Sequence, residues 1–312
     1  MVAGTNPVSA LLIAGPTASG KSAIALSLAR RLRGTLINAD SMQVYRDLRV
    51  LTARPPLQET ETWPHLLFGH VDGAFNYSVG RWLAEVKDLL EHVRKNGRLP
   101  IFVGGSGLYF KALTQGLSNI PPVPPKVRMA MRERAQTIPV QVLHAELAAC
   151  DPIMAARLRP SDPQRILRAL EVFHATGRSL ASFQSARSKP IIDVEKSVAI
   201  FLEPDRETLR RQIDWRFDRM LETGGLSEVE RLMKRKLDPT LPVMRAHGVP
   251  HLISHLQGQI AIKDAADRAK LDTRHYAKRQ FTFARHQLPP FRWIEPNRAE
   301  AEVLSAFGKS GR

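Results

Sequence analysis

The run Gly15-Pro16-Thr17-Ala18-Ser19-Gly20-Lys21-Ser22 constrains this chain more than any other eight residues in it. It fits G-x-x-x-x-G-K-[ST], a loop whose backbone amides wrap a polyphosphate. The flanks agree with that reading. Ala10 to Ala14 is a short apolar run with strand character. Ile24, Leu28 and Leu32 then recur every fourth residue beside Ala25 and Ala29, which is the spacing of a buried helix face. A strand, a glycine loop and a helix in that order aim N–H groups and the positive end of a helix dipole at one anion. The loop therefore predicts phosphate contacts from Gly15 through Ser22, with Lys21 on the terminal phosphate and the Ser22 hydroxyl on Mg2+. It does not say which polyphosphate is bound or what becomes of it.

Further along, strand and helix signals alternate. Thr35 to Ala39 reads as a second strand that ends at Asp40-Ser41. Trp82, Val86, Leu89, Leu90 and Val93 mark a helix, with Asn76 or Ser78 as its cap and Asn96-Gly97 as its stop. Leu99 to Val103 is a third strand, ending in Gly104-Gly105-Ser106-Gly107. Alternation of this kind predicts a parallel sheet, with ligands gathered at the carboxyl ends of the strands. Pro121-Pro122-Val123-Pro124-Pro125 is stiff and extended and marks a boundary. Beyond it the pattern is helical to about residue 194, including a helix with an Asp162 cap and Pro163 at its first position that stops at Thr176-Gly177. Val198 to Leu202 returns to strand character. A helix with Leu209, Ile213, Phe217 and Met220 follows and ends at Gly224-Gly225. The expected fold class is α/β: a P-loop-type parallel sheet core flanked by helices (1–120 and 195–312), with a small all-α insertion domain (121–194).

The charge balance is the second strong constraint. Lys and Arg number 46 against 30 Asp and Glu, a net charge of +16 in 312 residues. A phosphate loop alone does not need that excess, and nucleic acid is the commonest polyanion such a surface meets. The insertion shares it, with 11 basic residues against 6 acidic ones. So does the stretch from Ile260 to His286. There Lys270, Arg274 and Lys278 are spaced by four and Tyr276, Phe281 and Phe283 are interleaved, the pattern of a nucleic-acid face. No apolar run approaches the ~18 residues of a membrane span. No basic region precedes the first apolar run, so no secretory leader is expected. Cys150 is the single cysteine, expected to be a buried and inert thiol, and its solitude agrees with a reducing, cytoplasmic setting.

ATP or GTP hydrolysis normally needs an acidic residue on Mg2+ at the end of a neighbouring strand. The strand 99–103 ends in glycines instead, and Asp40 is the only carboxylate well placed at a strand end. Asp40 could hold Mg2+ through water or act as a general base. On the residues alone, a phosphate-loop small-molecule kinase using ATP and a non-catalytic RNA-binding module both remain open.

Five motifs, in order and spacing, resemble the tRNA dimethylallyltransferases (tRNA isopentenyltransferases). They are Gly15 to Ser22, Asn38-Ala39-Asp40-Ser41-Met42-Gln43-Val44-Tyr45, Val103-Gly104-Gly105-Ser106-Gly107-Leu108-Tyr109, Asp162 to Glu171, and Ala277-Lys278-Arg279-Gln280. The resemblance implies transfer of a dimethylallyl group from dimethylallyl diphosphate to N6 of the adenosine 3′ of the anticodon, with diphosphate leaving and Mg2+ at Ser22. It implies that Asp40 is the base, that Ser106 lies near the reacting amine, and that Arg216 holds diphosphate. It also implies tRNA contacts from Asp40, Ser41, Met42, Gln43, Ser106, Arg128, Gln164, Arg165, Ile166, Leu167, Arg168, Lys278, Arg279 and Gln280. Its partners would be the tRNA anticodon stem-loop and the prenyl donor, with no membrane and a monomeric state.

Some positions depart from the family pattern. Relatives often read G-T-A-K-P where this chain has Leu51-Thr52-Ala53-Arg54-Pro55. They read G-Y where it has Gly248-Val249-Pro250, which puts an RNA contact there in doubt. Phe283 stands where tryptophan is usual, and many relatives have threonine at Ser106. His247, His251 and His255 are spaced like helix metal ligands. Gly248 and Pro250 break the turn, and no carboxylate or cysteine completes a set.

Overall fold

A computed structural model describes residues 8–184 and 187–310. Among them, six strands form one parallel sheet: β1 (Leu11–Ala14), β2 (Gly34–Asn38), β3 (His65–Leu66), β4 (Leu99–Gly104), β5 (Val198–Leu202) and β6 (Arg292–Ile294). Their order is β3-β2-β4-β1-β5-β6. The four strands legible in the sequence are the long ones. β3 and β6 have two and three residues, too few to show a period-2 pattern.

Both faces of the sheet are buried, as a parallel sheet requires. Leu11, Ile13, Leu36, Ile101, Val103, Ile200 and Leu202 pack with the helices Lys21–Arg31 and Pro296–Ser310. On the opposite face Phe102 meets Trp82, which stacks on Tyr109 at 4.3 Å, and Phe201 meets Trp293 and Phe281. Trp82 belongs to the helix Val79–Lys95. The Ser78 hydroxyl caps that helix by accepting from the Arg81 N–H, which decides between the two candidate caps.

Register brings the strand ends together. Ala14 of β1 pairs with Gly104 of β4, and Asn38 of β2 pairs with Val103. The phosphate loop, the Asp40 turn and the Gly104–Gly107 turn therefore emerge side by side. Gly104 is needed for this packing, because a Cβ there would lie 2.1 Å from the Ala39 carbonyl carbon and oxygen.

The chain divides into two compact units, 1–114 with 190–312, and 115–189. The second is all helical, with Leu143, Leu147, Met154, Ile166, Ala169 and Leu170 in its core. Asp162 caps the helix Pro163–Thr176 through the Arg165 N–H, and Gly177 ends it with φ 67°. Pro125, the last residue of the run read as stiff and extended, is the first residue of the helix Pro125–Thr137. The first turn needs no N–H from it, so proline is tolerated there. Cys150 is half-buried rather than buried, with its thiol pushed up mainly by burial.

In the first unit the helix Arg206–Glu222 ends as expected near Gly224-Gly225. Gly225 then opens another helix, Gly225–Lys234, with Gly224 at φ 101° turning the chain between them. The long terminal stretch is one helix, Ile262–Gln287.

Candidate active site

The phosphate loop has the backbone of an anion cradle. Ala18 and Gly20 sit at φ 63° and 80°, and positive φ turns successive amides to one side. The helix that follows begins at Lys21, so its first amides have no partner within the helix. The buried Ser19 hydroxyl also finds no hydrogen-bond partner, as expected of a group that meets a ligand oxygen.

Lys21 is only 9% exposed and donates to the Pro16 carbonyl at 3.1 Å. Burial lowers its pKa to about 8, against a raising influence from Asp40, with Arg216 adding to the fall. Arg216 reaches across from the helix Arg206–Glu222 and donates to the Thr17 hydroxyl. Its pKa also falls by burial, to about 10, opposed by Asp40. One carboxylate thus faces two buried cations at the end of the loop.

Local hydrogen bonds hold Asp40. Asn38, fully buried, accepts from the Asp40 N–H at 2.9 Å and donates to the carbonyls of Asp40 and Leu67. The carboxylate itself accepts from the Met42 N–H at 2.9 Å. The Ser106 hydroxyl accepts from the Ser41 N–H at 2.8 Å and donates to the Ser41 hydroxyl at 3.1 Å. Tyr276 lies on the same side, its pKa raised by burial first and by Asp40 second. Ser106 therefore braces the turn that carries Asp40.

Gln280 ties the phosphate loop to the glycine turn. It is 7% exposed, accepts from the Thr17 N–H at 2.9 Å and donates to the Gly105 carbonyl at 2.8 Å. The resemblance puts Gln280 on tRNA, yet both ends of its amide are engaged within the protein. Thr17 likewise has its amide on Gln280 and its hydroxyl on Arg216. Gln280→Leu leaves two polar backbone groups without partners, at about 1–3 kcal/mol each. Denaturant unfolding should show that loss, and KM for the phosphate-bearing substrate should rise.

Two cavities meet at Arg216. The inner one, about 180 Å³, has Thr17, Asp40 and Arg216 at its polar end and Leu51, Ile213 and Phe217 along its apolar wall. The outer one, about 1010 Å³, opens onto Ala18 to Ser22 and the acidic side chains Glu203, Asp205 and Glu295. Glu228 shapes the inner wall from behind. Its buried carboxylate accepts from the amides of Arg49, Val50 and Leu51 at 2.7, 2.8 and 3.1 Å. Gln43 holds the same segment by donating to the carbonyls of Thr52 and Ala53 at 2.9 and 3.1 Å.

The basic stripe of the last long helix needs correction. Lys270 pairs with Asp218 at 2.6 Å, and Arg274 forms a fork with Asp214 at 2.9 and 2.5 Å. Those two cations bind one helix to another and offer no open face to RNA. Two of the three interleaved aromatics are packing residues too: Phe281 sits against Phe201 and Trp293, and Phe283 lies where a Cβ on Gly107 would touch it. Lys278 and Arg279 remain exposed, with the Arg279 guanidinium 5.8 Å from the centre of the Tyr276 ring.

The other candidate RNA contacts belong to the helical unit. Gln164 and Arg165 are exposed, while Arg128, Leu167 and Arg168 are half-buried. The Ile166 side chain is fully buried and can serve RNA only by supporting its neighbours. The histidine triplet disperses: His251 pairs with Asp272 at 2.8 Å, His255 bonds the Ile260 carbonyl at 3.1 Å, and His247 stacks on Tyr276. No group of three His, Cys, Asp or Glu able to hold a metal occurs among the described residues. None of those residues forms a helix long and apolar enough to cross a membrane.

Sequence reasoning placed none of Asn38, Glu228, His247 and Tyr276 beside Asp40: Asn38 stood only within a motif, His247 in the histidine spacing and Tyr276 among the interleaved aromatics, while Glu228 was not singled out. Tyr276 was the most accessible of them, since it lies one turn before Gln280 on a helix whose buried stripe runs through Thr273, Ala277 and Gln280.

The chain matches the family model described as IPP transferase over residues 43–287, and the one described as isopentenyl transferase over residues 8–66. A Beijerinckia indica protein named tRNA dimethylallyltransferase is 64% identical over 296 residues, covering 95% of this chain and 98% of that protein. A Methylocella silvestris protein of the same name is 63% identical over 296 residues, with coverage of 95% and 98%. Among solved structures, the tRNA isopentenylpyrophosphate transferase of Bacillus halodurans is 30% identical, with a TM-score of 0.69 over 97% of this chain and 96% of that one. A eukaryotic dimethylallyltransferase described as acting on tRNA is 28% identical, with a TM-score of 0.77 over 92% of this chain and 73% of its own.

Proposed function

This chain belongs to the IPP transferase family, and on that premise we propose that Asp40 and the phosphate loop together move a dimethylallyl group from its diphosphate to N6 of a tRNA adenosine. It is a prenyl-transferring enzyme that acts on tRNA, and the family displaces the kinase reading. The observation that carries the proposal is one cavity. Asp40, Thr17 of the phosphate loop and Arg216 share its polar end, and an apolar wall continues from them.

The chemistry needs those neighbours. The C1–O bond of the donor breaks with both electrons on the diphosphate oxygen, and a C1–N6 bond forms. Lys21, Arg216 and the loop amides stabilise the negative charge that leaves. The N6 lone pair is delocalised into the purine, so attack needs close placement and loss of the N6 proton, which passes to Asp40. Leu51, Ile213 and Phe217 enclose the prenyl chain and keep water from the allylic carbon.

The Ser22 hydroxyl is exposed towards the outer cavity, beside an acidic rim. That donor set suits Mg2+, an ion that prefers oxygen ligands and keeps several waters. Ser22 would hold it, and when bound it would add positive charge against the diphosphate. The adenosine would have to leave its stack to reach the cavity. Exposed Gln164, Arg165, Lys278 and Arg279, with half-buried Arg128 and Arg168, would take the RNA backbone and loop. We take the chain to act as a monomer in the cytoplasm.

The test uses labelled dimethylallyl diphosphate or labelled ATP, with and without tRNA. Prenyl label moving to tRNA is expected; phosphate transfer from ATP, or binding of both without turnover, would overturn the reading. Replacing Arg165 and Arg168 with Ala should weaken tRNA binding and reduce the slope of log K against log salt by up to ~2. An unaltered slope would remove that helix face from the interface.

A further inference from the structure

His247 lies outside the machinery described so far, yet its imidazole lines the inner cavity that Asp40 and Arg216 share. Its ring centre is 4.6 Å from that of Tyr276, with the planes tilted by 42°. The other two histidines of the 247/251/255 spacing are held by Asp272 and by a backbone carbonyl. His247 is committed instead to the cavity wall. We propose that His247 is an active-site residue of the prenyl transfer: a neutral ring beside Tyr276 that steadies the positive charge forming on the allylic carbon, and that slows the reaction when it takes a proton. This inference rests on the transferase reading above.

The charge argument follows the reaction. As the C1–O bond breaks, electrons leave with the diphosphate, and positive charge peaks on the allylic carbons before N6 bonds to C1. Neutral aromatic faces attract such a cation. The cavity already holds cations at its polar end to grip the leaving group, so the prenyl end must not add another. Each element around His247 contributes a charged or titratable group. Asp40 comes from the turn after β2, and Arg216 from the helix Arg206–Glu222. Arg245 comes from the short 3-10 turn Pro242–Arg245, and Asp272, Tyr276 and Arg279 from the helix Ile262–Gln287. Burial and Arg279 favour the neutral imidazole, while Asp272 and Asp40 oppose them, and the balance lowers its pKa below the ordinary histidine value. The ring is therefore neutral at pH 7–8 and takes a proton only at a lower pH than an ordinary histidine does. Asp40 is placed to take the N6 proton, so His247 acts as wall and not as base.

Single-turnover transfer from dimethylallyl diphosphate to an anticodon stem-loop RNA tests this, measured from pH 5 to 9 for wild type, His247→Phe and His247→Lys. Phenylalanine keeps an aromatic face and cannot titrate. Groups that both proteins share affect wild type and His247→Phe alike, whereas only wild type also loses rate to the imidazolium. The ratio of His247→Phe to wild-type rate should therefore rise as pH falls from 8 to 5. His247→Lys carries its charge through the acidic part of that range. It should be slow there by about tenfold or more, with KM for the anionic donor not raised. A His247→Phe to wild-type ratio that stays flat from pH 8 to 5 overturns the proposal, and that comparison decides alone if the lysine variant does not fold. Wild-type protein that transfers no prenyl group at any pH would instead overturn the transferase reading beneath it.

Discussion

Asp40→Asn lowers the single-turnover rate of prenyl transfer by about 10²- to 10⁴-fold, the range for loss of a positioned general base. The substitution is local. Asparagine keeps an oxygen that can accept the Met42 N–H, and Asn38 still holds the Asp40 backbone. What goes is the basic oxygen and the negative charge that Lys21 and Arg216 face. Affinity for tRNA should stay within a few fold, because many contacts beyond this carboxylate would hold the RNA. Rapid-quench transfer assays and filter binding on the same preparation separate the two quantities. Unchanged turnover would remove Asp40 as the base.

Lys21→Met should abolish most activity and stabilise the protein. Loss of a donor to a leaving oxyanion costs about 10²- to 10³-fold in rate. The stability gain comes from burial. Lys21 is 9% exposed, and its pKa falls from 10.5 to about 8, so the folded chain holds this proton less tightly than the unfolded chain does. Below pH 8 the residue is charged in both states and the full penalty applies, on the order of 3 kcal/mol. Between pH 8 and 10.5 the unfolded chain binds more protons, so wild-type stability rises with pH and the penalty fades. Methionine removes the charge and loses the bond to Pro16, worth about 1 kcal/mol. Urea unfolding should find the variant more stable at pH 7, with the advantage shrinking by pH 10. A variant less stable at pH 7 would contradict the burial argument. The same ionisation predicts that wild-type kcat/KM for the prenyl donor declines as pH rises past about 8 in the free enzyme.

The parts of the site carried by short contiguous patterns were readable in the chain. The phosphate loop, the aspartate at the end of β2 and the glycine turn after β4 each combine residue type with a strand end, and strand ends follow from hydrophobic runs. Residues that act across long sequence separations were not. Gln280 links Thr17 to Gly105, Glu228 holds the 49–51 segment, and His247 meets Tyr276. A local period says which face of a helix is buried, but not which loop that face will meet. The basic stripe of the helix Ile262–Gln287 was misread for the same reason. Lys270 and Arg274 look free in sequence and are neutralised by Asp218 and Asp214 on another helix.

From the residues alone it followed that a strand, a glycine-rich loop and a helix come in succession, that the sheet is parallel, and that a carboxylate stands at a strand end nearby. Those features depend on backbone conformation and on period, which neighbouring residues set. It took the tertiary structure to bring Thr17, Asp40 and Arg216 together at the polar end of one small cavity with an apolar wall. Convergence depends on the β2-β4-β1 strand order and on side chains from remote helices, and packing of the whole core selects both.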